Sequence, residues 1–260
     1  MSTTATTPAT GAERGAPDGT LLHMHGVDMH FKTGVHAVDS VDLAVRRGEF
    51  VSVVGPSGCG KSTLLRIAAG LETRTGGRMD VSTDAIGYVF QDPTLLPWRT
   101  VMGNVELCTQ LQHQPKEVRR KKAQAAIEMV GLKGFEGNYP SQLSGGMRMR
   151  ASLARALTLD PELFLFDEPF GAIDEITRER LNGELLKIFR EQRFAGVFVT
   201  HSIAEAVFLS TRVVVMSARP GRIVGEFEVP FDPHREPSLR ADAAFARLTG
   251  EVGECLRAAA

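Results

Sequence analysis

Two hydrophobic periods alternate along the chain. Positions 21–31 and 37–45 read as strands around the turn at Lys32-Thr33-Gly34, and Arg46-Arg47-Gly48-Glu49 turns into an apolar run over 50–54. Helical spacing follows over 64–69, with Gly70 where a C-cap belongs. Positions 85–90 form another buried-type strand, ending at Gln91. From 100 to 158 the pattern predicts helices and no strand: 101–111, then 115–130 with Pro115 at the first helical position, then a helix after Met147 that runs to about Leu159 and stops at Asp160-Pro161. Strands return at 163–166, 197–200 and 213–216, with a helix from an Asp174 N-cap through Arg190. Ser202 and Glu205 have capping-box spacing for one more helix, and Arg219-Pro220-Gly221-Arg222 turns into an edge hairpin strand over 223–229. Residues 1–20, poor in large apolar side chains, predict a disordered tail, with neither the basic nor the apolar stretch of a signal peptide.

Composition narrows this picture. At 260 residues and 43% hydrophobic, the chain suits one α/β domain carrying an inserted helical unit. A net charge of −1 gives no general attraction to nucleic acid or anionic lipid, so no nucleic-acid partner is expected. Cys59, Cys108 and Cys255 match no zinc or disulfide framework and suit a reducing cytosol. No apolar stretch nears the roughly 20 residues that span a bilayer, so membrane contact would run through a partner.

The candidate chemistry starts at Gly55-Pro56-Ser57-Gly58-Cys59-Gly60-Lys61-Ser62-Thr63, a glycine-rich turn between strand and helix that fits G-x-x-x-x-G-K-[ST]. Backbone N–H groups there can make an anion nest reinforced by the helix N-terminus. Lys61 can reach the β- and γ-phosphates and the Ser62 hydroxyl can ligate Mg²⁺, so the motif binds a nucleoside triphosphate. Asp167-Glu168 closes a fully apolar strand, with Asp167 suited to hold Mg²⁺ through its water shell and Glu168 to polarise an attacking water; the plainer reading is two solvated acids. Gln91, at a strand end, could hold Mg²⁺ or the attacking water, or bond only to solvent. His201 ends another strand and could contact a γ-phosphate. Ser144-Gly145-Gly146 places Ser and two Gly at a second helix N-terminus, a geometry for reading the nucleotide of another subunit. Phe31 could stack on adenine or serve as core. The segment Asp92 to Trp98 is apolar and proline-stiffened, fit to dock a partner or to bury itself. The basic run Arg119-Arg120-Lys121-Lys122 is best read as a solvated helix face.

Taken together in this order, the motifs resemble those of the ATP-binding subunits of ABC transporters over about 20–230. Residues 55–63 look like Walker A, Gln91 like the Q-loop glutamine, and Leu143-Ser144-Gly145-Gly146-Met147 like the signature. Residues 163–167 look like Walker B with Glu168 as the catalytic glutamate, 170–174 is similar to the D-loop, and His201 to the switch histidine. Leu96-Pro97-Trp98, Asp167-Glu168-Pro169-Phe170-Gly171-Ala172 and Met216-Ser217-Ala218-Arg219-Pro220-Gly221 are similar to the nitrate/sulfonate/taurine importer group. Met149 departs from the family, standing where Gln is usual. The resemblance implies an α/β P-loop NTPase (RecA-like) core over 21–230 with an N-terminal antiparallel β subdomain and an α-helical subdomain over about 95–158, then a helical extension over 231–260. It implies ATP and Mg²⁺, Phe31 as the adenine-stacking residue, and a head-to-tail homodimer that sandwiches ATP against Ser144, Gly145 and Gly146 of the other copy. Two membrane permease subunits would dock near 92–98 at the cytoplasmic face, with an extracytoplasmic solute-binding protein engaged indirectly. The alternative is a soluble ABC ATPase of an assembly or repair system.

Overall fold

A computed structural model describes residues 19–259. The expected tail over 1–20 lies outside them except for Gly19 and Thr20, and Thr20 already opens the first strand. Strands β1 (Thr20–His30), β2 (His36–Arg46) and β4 (Gly76–Val81) form an antiparallel sheet in the order β2-β1-β4. A second sheet runs β5-β6-β7-β3-β8-β9, from β3 (Phe50–Val54), β5 (Ile86–Val89), β6 (Leu163–Asp167), β7 (Ala195–Val199), β8 (Arg212–Met216) and β9 (Ile223–Glu228). It is parallel apart from β9, which pairs antiparallel with β8 at the edge.

Apart from Ser52 in β3 and the strand-end residues Asp167 and Arg212, the central strands are apolar because both faces of their sheet are covered, as parallel strands require. Alternation still sorts them. Phe50, Phe164, Phe166 and Phe198 point to one face, where they meet the helical region and the C-terminal helix. Val51, Val53, Leu163, Leu165, Val197 and Val199 point to the other, against β1, β2 and the first helix. The phenylalanines make an aromatic layer, with Phe50 centroids 5.9 Å from Phe166 and 6.0 Å from Phe198. Neighbouring strands give way to it, since a Cβ on Gly196 would lie 2.6 Å from the Phe50 ring and one on Gly87 would lie 2.8 Å from Phe164.

Helix α1 (Lys61–Ala68) starts three residues before the expected 64, so Lys61, Ser62 and Thr63 form its first turn. The helical region holds α2 (Val101–Val105), α3 (Leu107–Leu111), α4 (Lys116–Met129) and α5 (Gly145–Leu157). The single helix expected over 101–111 is broken at Glu106. Pro115 sits at the N-cap of α4 rather than inside its first turn. Helix α5 begins at Gly145, before Met147, with Ser144 as N-cap: its hydroxyl accepts from Met147 N at 3.2 Å. Helix α6 (Glu175–Gln192) is capped by Asp174, which accepts from Thr177 N at 3.0 Å. Then come α7 (Ile203–Leu209) and, in the last segment, α8 (Ala243–Ala258). Arg235 ties that segment down by donating to Phe208 O at 2.7 Å and Val207 O at 3.2 Å, the carbonyl end of α7. Among the described residues no helix is long and apolar enough to cross a membrane.

Candidate active site

Parallel pairing brings the carboxyl ends of β3, β6 and β7 to one edge of the sheet, which gathers Gly55, Asp167, Glu168 and His201 although they are far apart in sequence. The phosphate loop crosses that edge into α1. Gly60 takes φ 104°, and a Cβ there would sit 2.6 Å from Ala37 O, so the position accepts only glycine. Gly58 also has positive φ, at 76°. Pro56 is half-buried and Ser57 exposed, while Cys59 turns its side chain inward, where its Sγ accepts from Lys61 Nζ at 4.0 Å. Burial pushes the Cys59 thiol up, with Lys61 acting in the opposite sense.

Lys61 is 5% exposed and folds back over the loop, donating to Gly55 O at 2.9 Å and Pro56 O at 3.0 Å. Its Nζ lies 3.9 Å from Glu168 Oε1, and Glu168 Oε2 lies 3.4 Å from His201 Nδ1. Glu168 thus bridges the lysine and the histidine. It does so from the left-handed backbone region, φ 45°, which strains a non-glycine residue by about 1–3 kcal/mol. The backbone holds it there through Glu168 N to Val199 O at 3.0 Å and Gly171 N to Glu168 O at 3.1 Å. Ser62 Oγ donates to Asp167 Oδ1 at 2.6 Å, and Tyr88 OH donates to Asp167 Oδ2 at 3.2 Å. Burial, then the Asp167 charge, raises the Tyr88 phenol well above its ordinary value, so it stays a donor.

A pocket of about 200 Å³ joins Gly58, Gly60, Lys61, Ser62, Thr63 and Glu168 with Phe31, Val35 and Arg219. Phe31 is half-buried and packs on the β1–β2 side, yet reaches this lining. A roomier hollow of about 640 Å³ beside Gly48, Phe189 and His234 lacks phosphate-binding glycines and catalytic acids.

Other expected site residues stand apart from this pocket. Gln91, two residues past β5, is exposed and outside the lining. Ser144 and Gly145 are exposed at the start of α5 and are also outside it. Gly146 is buried, 3.3 Å by its absent Cβ from Thr177 of α6. Met149 is core, 4% exposed among the helical side chains, which accounts for an apolar residue there. Ser202 accepts from Glu205 N at 3.3 Å, but the expected reciprocal half of the capping box is absent. The Glu205 carboxylate instead accepts from Thr200 Oγ1 at 2.5 Å, and Thr200 Oγ1 accepts from Ser202 N at 3.0 Å, bracketing His201. Burial raises the Glu205 carboxyl above the usual range, and its Oε1 has no hydrogen-bond partner.

Besides Tyr88, three contributors escaped sequence reasoning. Arg219 donates to Gly58 O at 2.9 Å and 3.0 Å, although the sequence marked it only as part of a turn and of an importer-like stretch, with no role at the phosphate loop. Asn104, fully buried, accepts from Leu96 N at 2.7 Å and donates to the carbonyls of Leu96, Arg99 and Thr100. Arg155 donates to Pro93 O and Thr94 O. Asn104 and Arg155 therefore fix the 92–98 segment from beneath. Leu95 packs on the core, but Trp98 is 71% exposed, so the alternative in which the 92–98 segment buries itself does not hold for Trp98.

The ABC transporter family model matches residues 38–171. The aliphatic sulfonates import ATP-binding protein of Bacillus licheniformis is 46% identical over 231 residues, 85% of this chain and 87% of that one. The taurine import ATP-binding protein of Rhizobium johnstonii is 41% identical over 230 residues, 84% of this chain and 88% of that one. A dimeric bacterial ABC transporter cassette superposes with a TM-score of 0.72 at 33% identity, covering 81% of this chain and all of that one; the same cassette has also been solved in a post-hydrolysis state with ADP and phosphate. Phosphate loop, sheet order and relatives agree: the chain belongs to the ABC transporter family and is an ATP-binding ATPase on a P-loop NTPase fold.

Proposed function

We propose that this chain is the ATP-hydrolysing subunit of an importer for a small solute of the sulfonate or taurine kind, the wider group including nitrate and vitamin precursors. It would work as a homodimer with two permease subunits, peripheral at the cytoplasmic face, and serve an extracytoplasmic binding protein indirectly. The observation that carries this reading is the convergence of Lys61, Ser62, Asp167, Glu168 and His201 at one strand edge, in a chain 46% identical to a sulfonate import ATP-binding protein.

Residues 55–63 cradle the triphosphate with backbone N–H groups, and Lys61 swings from the loop carbonyls to the β- and γ-phosphates. Phe31 offers its ring to the adenine. Glu168 accepts a proton from the attacking water, while His201, hydrogen-bonded to Glu168, faces the γ-phosphate. The adjoining Ser62 hydroxyl and Asp167 carboxylate form a hard oxygen donor set that fits Mg²⁺. They would hold it, with Gln91 as a further oxygen ligand, and the ion would supply charge neutralisation at the phosphates. Ser144, Gly145 and Gly146 would serve the ATP of a second copy, a reading supported by the dimeric form of the similar ABC cassette.

The reading is tested by co-expressing the chain with candidate permease subunits in proteoliposomes containing a sulfonate-binding protein. ATP hydrolysis should be stimulated by alkanesulfonate or taurine on the binding-protein side. A chain that hydrolyses ATP yet neither co-purifies with nor responds to membrane subunits would be a soluble ABC ATPase instead.

A further inference from the structure

Four of the seven histidines, His23, His25, His30 and His36, lie on the β1–β2 hairpin. His30 and His36 form the last register pair of the two strands, at the base of the loop over 31–35. Their rings stack with centroids 3.8 Å apart and planes 16° from parallel. Asp28 precedes His30 by two residues, and its Oδ1 lies 3.3 Å from His36 Nε2. One ligand atom from each of Asp28, His30 and His36 lies within 4.8 Å of the other two.

This trio is better built than a chance surface cluster. Asp28 is pinned by its carbonyl, which accepts from Thr75 N at 2.9 Å and Thr75 Oγ1 at 3.2 Å. Ser40 N approaches Asp28 Oδ1 at 3.4 Å, an outer-shell donor of the sort that orients a ligating carboxylate. His30 N donates to the same Thr75 hydroxyl at 2.9 Å. Gly76 leaves room for Asp28, since a Cβ there would lie 3.1 Å from Asp28 Cβ. The Asp28 and His36 side chains are about a third exposed and His30 is exposed, which gives an ion a way in. Among the described residues no third His, Cys, Asp or Glu joins the neighbouring His25–Asp42 pair, 2.7 Å apart, in a comparable cluster, and the pair serves as a natural control.

We propose that Asp28, His30 and His36 bind a divalent first-row transition cation, with Zn²⁺ as the reference case, at the base of the loop that carries Phe31. Two imidazoles and one carboxylate with open positions suit Zn²⁺, Co²⁺, Ni²⁺ or Cu²⁺, whereas Mg²⁺ and Ca²⁺ prefer oxygen alone. Binding requires the stacked rings to splay so that each lone pair points at the ion, and exposed His30 is free to do so. The loop above is closed by Phe31 N to Val35 O at 2.8 Å and Gly34 N to Phe31 O at 2.9 Å, and both Phe31 and Val35 line the nucleotide pocket. An ion clamping His30 to His36 orders that loop, so metal and ATP strengthen each other's binding, reciprocally. This coupling rests on the nucleotide-site reading above; the metal site does not.

The test uses the full chain, freed of metal, titrated with ZnCl₂ and separately with CoCl₂. One equivalent should bind, with visible Co²⁺ ligand-field bands, and Zn²⁺ should raise the melting temperature. His30→Gln and His36→Gln should each weaken binding at least about tenfold and abolish the shift, while melting normally without metal. His25→Gln should change nothing. No saturable binding in the micromolar range, or affinity retained in both variants, would overturn the site. Affinity for a fluorescent ATP analogue should then rise with Zn²⁺ in the native chain, with His36→Gln correcting for metal held by the nucleotide. Unchanged nucleotide affinity at a filled site would overturn the coupling. A chain that takes up Zn²⁺ at these residues but binds no nucleotide would refute the nucleotide-site reading and spare the metal site.

Discussion

Glu168 combines two features that separate chemistry from binding: it touches Lys61 and His201, and it occupies a strained backbone position. Gln is isosteric and tolerates the same backbone, so Glu168→Gln should retain ATP affinity while turnover falls by at least about 100-fold. Equilibrium binding beside steady-state hydrolysis checks this, and near-normal turnover would remove Glu168 from the mechanism. Glu205 makes a separate prediction about stability. Its folded pKa is raised by burial, opposed by the Thr200 bond, Arg178, Asn182 and His201. Arg240 also feels the Glu205 charge. A raised carboxyl pKa means the stabilising contribution is whole below the unfolded value of about 4.3 and is lost as pH rises through the folded value. Glu205→Gln stays neutral, so its melting temperature should gain on the native chain as pH rises from 4 to 8, and a constant difference across that range would contradict it. Residues with a motif around them, such as Lys61 or Glu168, were legible because phosphate chemistry restricts both type and spacing. Arg219, Tyr88 and Asn104 were not, because each acts through one tertiary contact that leaves no periodic trace.

The element with the clearest separate identity is the 92–98 segment, whose backbone is fixed by buried Asn104 and by Arg155 while Trp98 projects into solvent. Trp98→Ala should therefore leave the melting temperature of the isolated chain nearly unchanged, within about 0.5 kcal/mol. If Trp98 anchors the permease subunits, the same change should weaken their association by at least about 2 kcal/mol. Thermal melting paired with pull-down decides this, and unchanged binding would remove Trp98 from the interface. Asn104→Ala is expected to do the reverse first, lowering stability by about 1–3 kcal/mol because several loop groups lose their partner. Strands over 50–54, 163–166 and 197–200 were legible from their predominantly apolar runs. Strand β4 was not, because Gly76-Gly77-Arg78-Met79-Asp80-Val81 buries little and owes its conformation to pairing with β1. The break at Glu106 was equally hidden, since α2 and α3 share one helical pattern on either side of it.

At the scale of the molecule, Ser144, Gly145 and Gly146 do not line the pocket that the 55–63 loop helps to form, so in the proposed dimer a single copy is half of an enzyme. Ser144→Arg should abolish hydrolysis while sparing folding and nucleotide binding by the chain's own loop. Mixing it with Lys61→Ala protein should restore part of the activity by pairing two intact halves; no rescue after verified subunit exchange would argue against a composite site. The layered architecture was legible from the order of strand and helix patterns, but the partition into two cores was not, because only the pairing order β5-β6-β7-β3-β8-β9 decides which covering each face receives. That partition walls in Cys59, whose thiol is 1% exposed beneath the phosphate loop, whereas Cys108 and Cys255 are less buried. Cys59 is thereby a built-in stopwatch. An alkylating reagent can reach it only while the loop lifts, so the pace at which mass spectrometry finds it modified counts openings of the resting cassette, and ATP should slow that count without protecting the other two thiols.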